Sequence, residues 1–347
     1  MKVLKFGGTS VGSAQRMKEV AKLITDGERK IVVLSAMSGT TNTLVEISDY
    51  LYKKNPEGAN EIINKLESKY RQHIDELFAT PEYKQKGLEL IKSHFDYIRS
   101  YTKDLFTLFE EKVVLAQGEL ISTAMMNYYL QECGVKSVLL PALEYMRTDK
   151  NAEPDPVYIK DKLQVQLELH PDAEIYITQG YICRNAYGEI DNLQRGGSDY
   201  TASLIGAAIN ASEIQIWTDI DGMHNNDPRI VDKTAPVRHL HFEEAAELAY
   251  FGAKILHPTC IQPAKYANIP VRLLNTMDPT APGTLISNDT EKGKIKAVAA
   301  KDNITAIKIK SSRMLLAHGF LRKVFEIFES YQTSIDMICT SEVDRKS

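Results

Sequence analysis

Met1-Lys2-Val3-Leu4-Lys5-Phe6-Gly7-Gly8-Thr9-Ser10 opens the chain, and this stretch decides the fold. A short apolar strand carrying Lys5 runs into the Gly7-Gly8 turn, and a Thr/Ser pair then starts a helix. Glycines let backbone N–H groups approach phosphate oxygens, the helix N-terminus adds partial positive charge, and Lys5 supplies a full charge. The stretch predicts a phosphate site at the end of the first strand, although a diglycine alone is equally typical of a tight turn beside a solvated lysine.

Two better-known phosphate motifs are excluded by single residues. Gly7 and Gly12 have the spacing of a Walker loop, but Ser13 stands where that loop needs lysine. Thr9 occupies the second glycine position of the dinucleotide fingerprint. The opening stretch therefore belongs to neither class.

The composition is that of a globular protein without an excess of positive charge. The 347 residues include 42 Lys and Arg against 46 Asp and Glu, for a net charge of −4, so neither nucleic acid nor a membrane is expected as a partner. The four cysteines form no C-x-x-C pair, which argues against a zinc site or disulfide framework and predicts reduced thiols in the cytoplasm. No signal peptide and no run of 18 apolar residues is present, which predicts a soluble protein.

Hydrophobic periodicity predicts a βαβ opening. Apolar residues repeat at helical spacing over residues 17–24, and residues 31–34 are typical of a buried strand. This order implies a parallel sheet with ligands at the carboxyl ends of its strands. The polar stretch 35–42 leaves the second strand and is expected to face the Lys5 turn. Further on, helices are predicted over residues 57–110 and 118–130, strands over 138–140, 175–177 and 214–219, and a hairpin turn over 185–188.

A second diglycine turn, Arg195-Gly196-Gly197-Ser198-Asp199, opens a later helix. An arginine before such a turn suits a planar carboxylate, which it can hold through two parallel N–H bonds. Asp199 in a first helical turn also stabilises a helix start, so taken alone it does not require a function. Paired with Lys5, it would orient the ammonium group or a metal-bound phosphate.

Two more stretches present polar groups that suit a nucleotide. The strand ending in Thr218-Asp219 offers a hydroxyl and a carboxylate, and Arg229 follows within reach of phosphates. Asp221-Gly222 between them has the pattern of an ordinary turn. Phe251-Gly252-Ala253-Lys254 places a lysine beside a glycine at a helix boundary, where a lone surface lysine would carry little meaning.

These motifs occur together in one order. KFGGTSVG at the start, SAMSGTTN from residue 35, QGE from 117, QGY from 179, RGGSDYTA from 195, WTD from 217, DPR from 227 and FGAKILHP from 251 resemble the aspartokinase branch of the amino acid kinase family. The resemblance covers residues 1–295, and it implies a catalytic domain with an α/β fold, a three-layer sandwich around a central, mainly parallel sheet.

The resemblance implies ATP-dependent phosphorylation of the aspartate side-chain carboxylate, the first step towards lysine, threonine and methionine. A carboxylate with a pKa of about 4 is ionised at neutral pH and needs no general base. The remaining work is to align two anions and neutralise charge on the transferring phosphoryl group, which calls for lysines, backbone N–H groups and Mg²⁺.

By the same resemblance, two groups of side chains surround the reacting atoms. The catalytic residues are Lys5, Asp199 and Lys254, with Lys5 and Lys254 expected to meet across one cleft and Asp199 to organise the lysine and magnesium region. The residues that hold aspartate are Thr41, Glu119, Arg195 and Ser198. Glu119 is expected on the substrate ammonium and Arg195 on its α-carboxylate; no protein metal-ligand set is predicted.

The nucleotide pocket is assigned by resemblance as well. Its residues are Lys5, Gly7, Gly8, Thr218, Asp219, His224, Arg229 and Lys254. His224 stands where the family commonly has tyrosine, and Asn225 where it commonly has threonine. This wall of the adenosine pocket is therefore where the chain departs from its family.

The pattern changes after Ala300. Residues 304–309 alternate as a half-buried strand, residues 320–331 carry a helical apolar stripe, and residues 335–339 are typical of a second strand. This order resembles the start of an ACT domain, the amino-acid-sensing module of aspartokinases, and the HGF stretch from 318 and the TSEV stretch from 340 favour a lysine-sensitive type. Residues 300–347 are short for a complete module, so we expect a partial, truncated ACT-like segment of a longer enzyme, without a complete effector site.

Two other functions stay open at this point. Another kinase of the family would act on acetylglutamate, glutamate or carbamate. Glu119 favours a substrate with a free ammonium group over an N-acylated one, because an acylated amino group carries no positive charge. Aspartate and glutamate differ by one methylene, worth roughly 1–3 kcal/mol of discrimination. A catalytically silent amino-acid sensor is the second alternative, against which the retained charges of Lys5, Arg195, Asp199 and Lys254 argue. Aspartokinases typically dimerise, and we expect a homo-oligomer, weakened if the ACT-like segment is incomplete.

Overall fold

The structure is a computed structural model, and it describes residues 1–193, 196–251, 256–289, 295–300, 302–309, 318–335 and 337–340. The chain divides into two compact units, Met1–Ala300 and Lys301–Ser347. The assignment of a catalytic domain and an ACT-like segment to these parts of the chain stays a prediction.

Strands and helices alternate through the larger unit. Its strands are β1 (Lys2–Phe6), β2 (Lys30–Leu34), β3 (Ser137–Leu140), β4 (Ile175–Gln179), β5 (Ile182–Arg184), β6 (Ile190–Asn192), β7 (Ile214–Thr218), β8 (His239–His241), β9 (Val271–Asn275) and β10 (Thr284–Ser287). Its helices are α1 (Ala14–Ile24), α2 (Thr40–Tyr52), α3 (Pro56–Leu77), α4 (Pro81–Ser100), α5 (Leu108–Glu132), α6 (Ala142–Tyr145), α7 (Pro156–Glu168), α8 (Gly197–Ile209), α9 (Phe242–Tyr250) and α10 (Gln262–Tyr266), with a 3₁₀ turn over Pro258–Ile261.

Eight strands form one sheet in the order β3-β4-β2-β1-β7-β9-β10-β8. The pairs from β3 to β9 are all parallel, whereas β10 runs antiparallel to β9. The chain leaves β1 towards β2 and later returns to the other side of β1 as β7. Ligands of open α/β sheets bind outside the carboxyl ends of the strands at such a reversal of strand order. β5 and β6 form a separate antiparallel hairpin.

Helices cover both faces of the sheet and make three layers. Leu4 and Phe6 of β1 pack with α1 to α5 in one core, whereas Val3 packs with α7 and α8 in the other. Because successive strand residues point to opposite faces, Lys5 lies on the side of Val3, towards α8. The predicted α/β fold with a central, mainly parallel sheet is confirmed.

The long helical region predicted over residues 57–110 is built from α3, α4 and the start of α5. Asn55 and Thr80 cap α3 and α4 by accepting hydrogen bonds from first-turn N–H groups, and a proline follows each cap. Proline suits this position because its missing N–H would have no partner within the helix. Among the helices of the described residues, none has the length and apolar character required to cross a membrane.

The smaller unit contains α11 (Phe320–Ser330), which confirms the helix predicted there. The two strands predicted over 304–309 and 335–339 are wrong for the described residues, which form no strand there. A strand depends on ladder hydrogen bonds to a neighbour, and apolar alternation alone supplies none. Residues 310–317, 336 and 341–347 lie outside the described residues, and the ACT-like assignment stays a prediction.

Candidate active site

A cavity of about 460 Å³ opens at the carboxyl edge of the sheet, where the strand order reverses. The loops after β1 and β2, which the sequence led us to expect face to face, both line it. The lining residues are Lys5, Gly8, Ser35, Ala36, Met37, Ser38, Gly39, Thr41, Asn42, Glu119, Tyr181, Gly196, Gly197, Ser198 and Asp199. The cavity therefore combines the end of β1 with the beginnings of two helices.

Lys5 and Asp199 form an ion pair in this cavity. Lys5 is 9% exposed, and its Nζ lies 2.8 Å from Asp199 Oδ1. The distance is that of an ion pair, but Asp199 Oδ1 has no aligned hydrogen-bond donor among the described residues. The Asp199 carboxylate thus holds the Lys5 ammonium group at the cavity.

Two helices begin at the cavity wall. α2 follows Gly39 and α8 follows Gly196, and both glycines are left-handed, with φ of +82° and +73°. Within the described residues, no N-cap side chain accepts a hydrogen bond from the first-turn N–H groups of either helix. First-turn N–H groups without caps carry partial positive charge and bind anions. Two such ends and one lysine make this cavity suited to negatively charged ligands.

Close backbone packing explains two of the glycines. A Cβ on Gly8 would lie 2.8 Å from the carbonyl oxygen of Ala36, and one on Gly180 would lie 2.4 Å from Ser198 Oγ. Ser38 N donates to the carbonyl oxygen of Gly8 at 3.1 Å. Glycine at these positions lets the loops after β1, β2 and β4 approach one another around the cavity.

Glu119 reaches the cavity from α5 and is 4% exposed. The Ala36 N–H donates to its Oε1 at 3.3 Å, whereas its Oε2 is buried without a hydrogen-bond partner among the described residues. Burial raises the pKa of this carboxyl to about 8. A buried, unpartnered carboxylate oxygen favours a cationic donor, which a ligand ammonium group would supply.

Most residues predicted for the reacting centre come together here. Lys5, Gly8, Thr41, Glu119, Ser198 and Asp199 line the one cavity. Gly7 lies beside them, since a Cβ at that position would be 3.5 Å from Lys5 Nζ. Arg195 and Lys254 lie outside the described residues, so the expected meeting of Lys5 and Lys254 stays a prediction.

The residues predicted for the nucleotide wall do not line this cavity. Thr218 ends β7 next to β1, and its hydroxyl accepts from Ile220 N at 3.2 Å. Asp219 is exposed, and His224 Nδ1 lies 2.8 Å from Thr234 Oγ1. Arg229 is exposed and pairs with Asp227 at 2.5 Å. Their assignment to a nucleotide pocket stays a prediction.

Ser35 and Tyr181 are among the cavity residues that received no role from the sequence. Ser35 begins the polar loop after β2, and its hydroxyl donates to Ser198 Oγ at 3.0 Å. Tyr181 has a φ of +70°, which is uncommon for a residue with a side chain, and its N–H donates to Thr201 Oγ1 at 3.1 Å. The QGY motif marks the position of Tyr181, but no local pattern indicates its backbone conformation.

Acidic and metal-binding side chains are sparse around the cavity. Within the ranges that the structure describes, no group of three or more His, Cys, Asp or Glu residues could hold a metal ion. A divalent cation here would depend on ligand oxygens for most of its coordination.

This mainly parallel α/β fold, with an anion-binding cavity at the strand reversal, is that of a known class of phosphotransferases. The chain belongs to the amino acid kinase family, whose sequence model matches residues 1–275. Two of its relatives in that family are aspartokinases.

Sequence relatives come from plants and bacteria. The chain is 38% identical over 353 residues to aspartokinase 1, chloroplastic, of Arabidopsis thaliana, an alignment that covers 98% of this chain and 62% of the relative. It is 35% identical over 346 residues to lysine-sensitive aspartokinase 3 of Escherichia coli K12, with 98% of this chain and 76% of the relative covered. The chain thus spans about three fifths of the length of the plant relative.

A solved structure has the same fold. The crystal structure of E. coli aspartokinase III in complex with aspartate and ADP matches with a TM-score of 0.83 and 32% sequence identity. The match covers 99% of this chain and 77% of that one. The fold similarity therefore extends over nearly the whole chain.

Proposed function

We propose that this chain transfers the γ-phosphoryl group of ATP to the side-chain carboxylate of aspartate, the first step towards lysine, threonine and methionine. The observation that carries the proposal is the joining of Lys5, two uncapped helix starts and the buried Glu119 in one cavity. One half of the cavity suits the phosphates of a donor, and the Glu119 carboxylate in the other half suits the ammonium group of an amino acid. A homo-oligomeric state and a cytoplasmic location stay predictions.

Aspartate would bind in the half of the cavity that contains Glu119. Glu119 Oε2, which lacks a partner among the described residues, would accept from the substrate ammonium. Thr41 and Ser198 would donate to the substrate from the starts of α2 and α8, and Arg195 would hold the α-carboxylate through paired N–H bonds. The relative solved with aspartate and ADP supports both ligands for this chain.

ATP would lie towards the end of β1. Lys5, Gly7 and Gly8 would contact the transferring phosphate, with Lys254 as the second cation. Thr218, Asp219, His224 and Arg229 would form the wall for the rest of the nucleotide. Both helix starts would add partial positive charge where negative charge spreads over the phosphoryl group.

The chemistry needs no proton abstraction. A side-chain carboxylate is already ionised at neutral pH and attacks the γ-phosphorus of ATP directly, while the bond from that phosphorus to the β–γ bridging oxygen breaks and ADP leaves. Lys5 would neutralise the developing charge, and Asp199 would fix the position of its ammonium group through the 2.8 Å contact. The Asp199 carboxylate lines the cavity beside Lys5 and would also suit Mg²⁺, which commonly binds one carboxylate plus substrate phosphates; bound there, Mg²⁺ would shield the phosphate charges.

A hydroxylamine trap for the acyl phosphate tests this proposal. Aspartate with ATP and Mg²⁺ is expected to give the hydroxamate, whereas N-acetylaspartate, which lacks the ammonium group, is expected to give little. Hydroxamate from acetylglutamate but none from aspartate would instead indicate an acetylglutamate kinase. No product from any of these acids, despite amino-acid binding, would indicate the silent sensor.

A further inference from the structure

Ser10 and Thr276 join the turn after β1 to the end of β9. Ser10 Oγ lies 2.7 Å from Thr276 Oγ1, and Ser10 is 1% exposed. Thr276 in turn contacts the carbonyl oxygen of Thr218, from its hydroxyl at 2.5 Å and from its backbone N at 2.8 Å. Two hydroxyl groups therefore join the turn after β1, residues 7–10 and called the phosphate turn below, to the ends of β7 and β9.

The direction of these hydrogen bonds follows from proton counting. A hydroxyl has one proton, and that of Thr276 is donated to the carbonyl oxygen of Thr218, which can only accept. Thr276 Oγ1 must then accept from Ser10, so the Ser10 hydroxyl is the donor. The result is a chain of donation from Ser10 to Thr276 to Thr218.

This chain of hydroxyls holds one side of the phosphate turn. On the opposite side, Gly8 is fixed by the donation of Ser38 N to its carbonyl oxygen at 3.1 Å. Towards β7, the backbone contact is the longer one from Gly7 N to the carbonyl oxygen of Trp217 at 3.4 Å. Hydrogen bonds weaken at such lengths. Beyond the β1–β7 ladder, which pairs Phe6 with Trp217, the short Ser10–Thr276 contact is therefore the stronger restraint on the β7 side.

We propose that Ser10 and Thr276 are positioning residues that set the phosphate-binding turn against the nucleotide side of the site. The proposal rests on the proposed kinase function, because it gives the turn its ligand. Thr276 acts through Ser10 and Thr218 rather than by touching substrate. Its hydroxyl fixes where Gly7 and Gly8 lie relative to the end of β7, and a displaced turn would bind a triphosphate less tightly and transfer its phosphoryl group more slowly.

Calorimetric titration of the full chain with Mg²⁺ and adenylyl imidodiphosphate, a non-hydrolysable ATP analogue, tests the positioning role. Thr276→Val removes the hydroxyl at nearly constant shape and should weaken analogue binding about tenfold, the order expected for one buried hydrogen bond. Thr276→Ser keeps the hydroxyl and should restore binding. Ser10→Ala should match Thr276→Val, and the double variant should be no weaker than either, because both break one chain.

Thr178→Val is the matched control. Thr178 is fully buried on β4, and its hydroxyl lies 2.7 Å from the Tyr145 hydroxyl, away from the turn. The Thr178→Val variant should lose about as much stability as Thr276→Val, but its affinity for the analogue and its aspartate KM should be unchanged. Thr276→Val should leave the aspartate KM unchanged and lower kcat.

Three results would overturn the proposal: parent-like analogue binding by Thr276→Val, failure of Thr276→Ser to restore it, or an equal loss in Thr178→Val. If the parent chain binds the analogue but does not phosphorylate aspartate, the proposed function fails while the variant comparison still decides the positioning role. If the parent binds no analogue at all, the turn is not a phosphate site and the positioning role is wrong too.

Discussion

Lys5 Nζ lies 2.8 Å from Asp199 Oδ1, so the end of the first strand is joined to the first turn of the eighth helix. Both side chains are largely buried, at 11% and 14% exposure, and solvent and salt screen such a pair less than a surface pair. The aspartate fixes the lysine where two helix starts converge. The position of the Lys5 ammonium group therefore depends on the packing of α8 against β1 and not on β1 alone.

Replacing Lys5 tests its role in phosphoryl transfer. Lys5→Ala should lower kcat about 10²–10³-fold, comparable with the loss of one preorganised donor to a developing anion. Steady-state kinetics of hydroxamate formation measure this. Lys2→Ala is the control, since Lys2 lies on the same strand but pairs with Glu28 at the surface and should leave kcat unchanged. An unchanged kcat in Lys5→Ala would favour a non-catalytic role.

Glu119 should control the binding of aspartate rather than of ATP. Glu119→Gln removes the carboxyl group that would ionise against the substrate ammonium, and it should raise the aspartate KM about 10–100-fold, as expected for a charge-assisted hydrogen bond. The KM for ATP should change little. Glu111→Gln, on the same helix and bonded to the Tyr52 hydroxyl, is the control. An equal rise in both KM values would contradict a specific ammonium contact.

The raised pKa of Glu119 should also make stability depend on pH. Its pKa is 4.5 without burial and about 8 in the folded chain, so between these values the folded state holds a proton that the unfolded state has lost. The stability from this group is fully present below about pH 4.5 and is lost as pH rises through about 8.

Urea unfolding of the unliganded chain at several pH values measures this effect. The free energy of unfolding of the parent, relative to Glu119→Gln, should fall with rising pH by at most about 1.4 kcal/mol per pH unit. The comparison removes the contributions of His73 and His94, whose pKa values burial lowers in both proteins. A constant difference across this window would show that Glu119 does not titrate there.

Neighbouring glycines in the phosphate turn should respond differently to alanine. A Cβ on Gly8 would lie 2.8 Å from the backbone oxygen of Ala36, whereas one on Gly7 would meet Lys5 Nζ at an ordinary 3.5 Å. Gly8→Ala should therefore cost about 1–3 kcal/mol of unfolding free energy, and Gly7→Ala should cost less. Thermal unfolding of both variants checks this, and equal losses would contradict the packing explanation.

Local sequence predicts the centre of the site well. The strand of Lys5, the diglycine turn and the helix start are neighbours in the chain, so spacing and residue type suffice to indicate an anion site. The sequence also predicts that the loop beginning at Ser35 faces this turn, because βαβ units place successive parallel strands in one sheet.

Contacts between distant segments were not predictable in this way. Thr276 has no motif around it, and its contact with Ser10 depends on β9 lying next to β7 and β7 next to β1. The left-handed backbone of Tyr181 likewise depends on packing against the start of α8. In the smaller unit, apolar alternation over 304–309 predicted a strand, but alternation does not provide a partner to pair with.

The central place of β1 has a consequence for how the protein matures. This strand is made before β7, Ile214–Thr218, yet β7 is its neighbour on one side. Until that later segment has left the ribosome, one edge of β1 has no partner, and pairings between such distant segments form slowly. The surroundings of the turn after β1 would therefore be completed only after most of the sheet has been made.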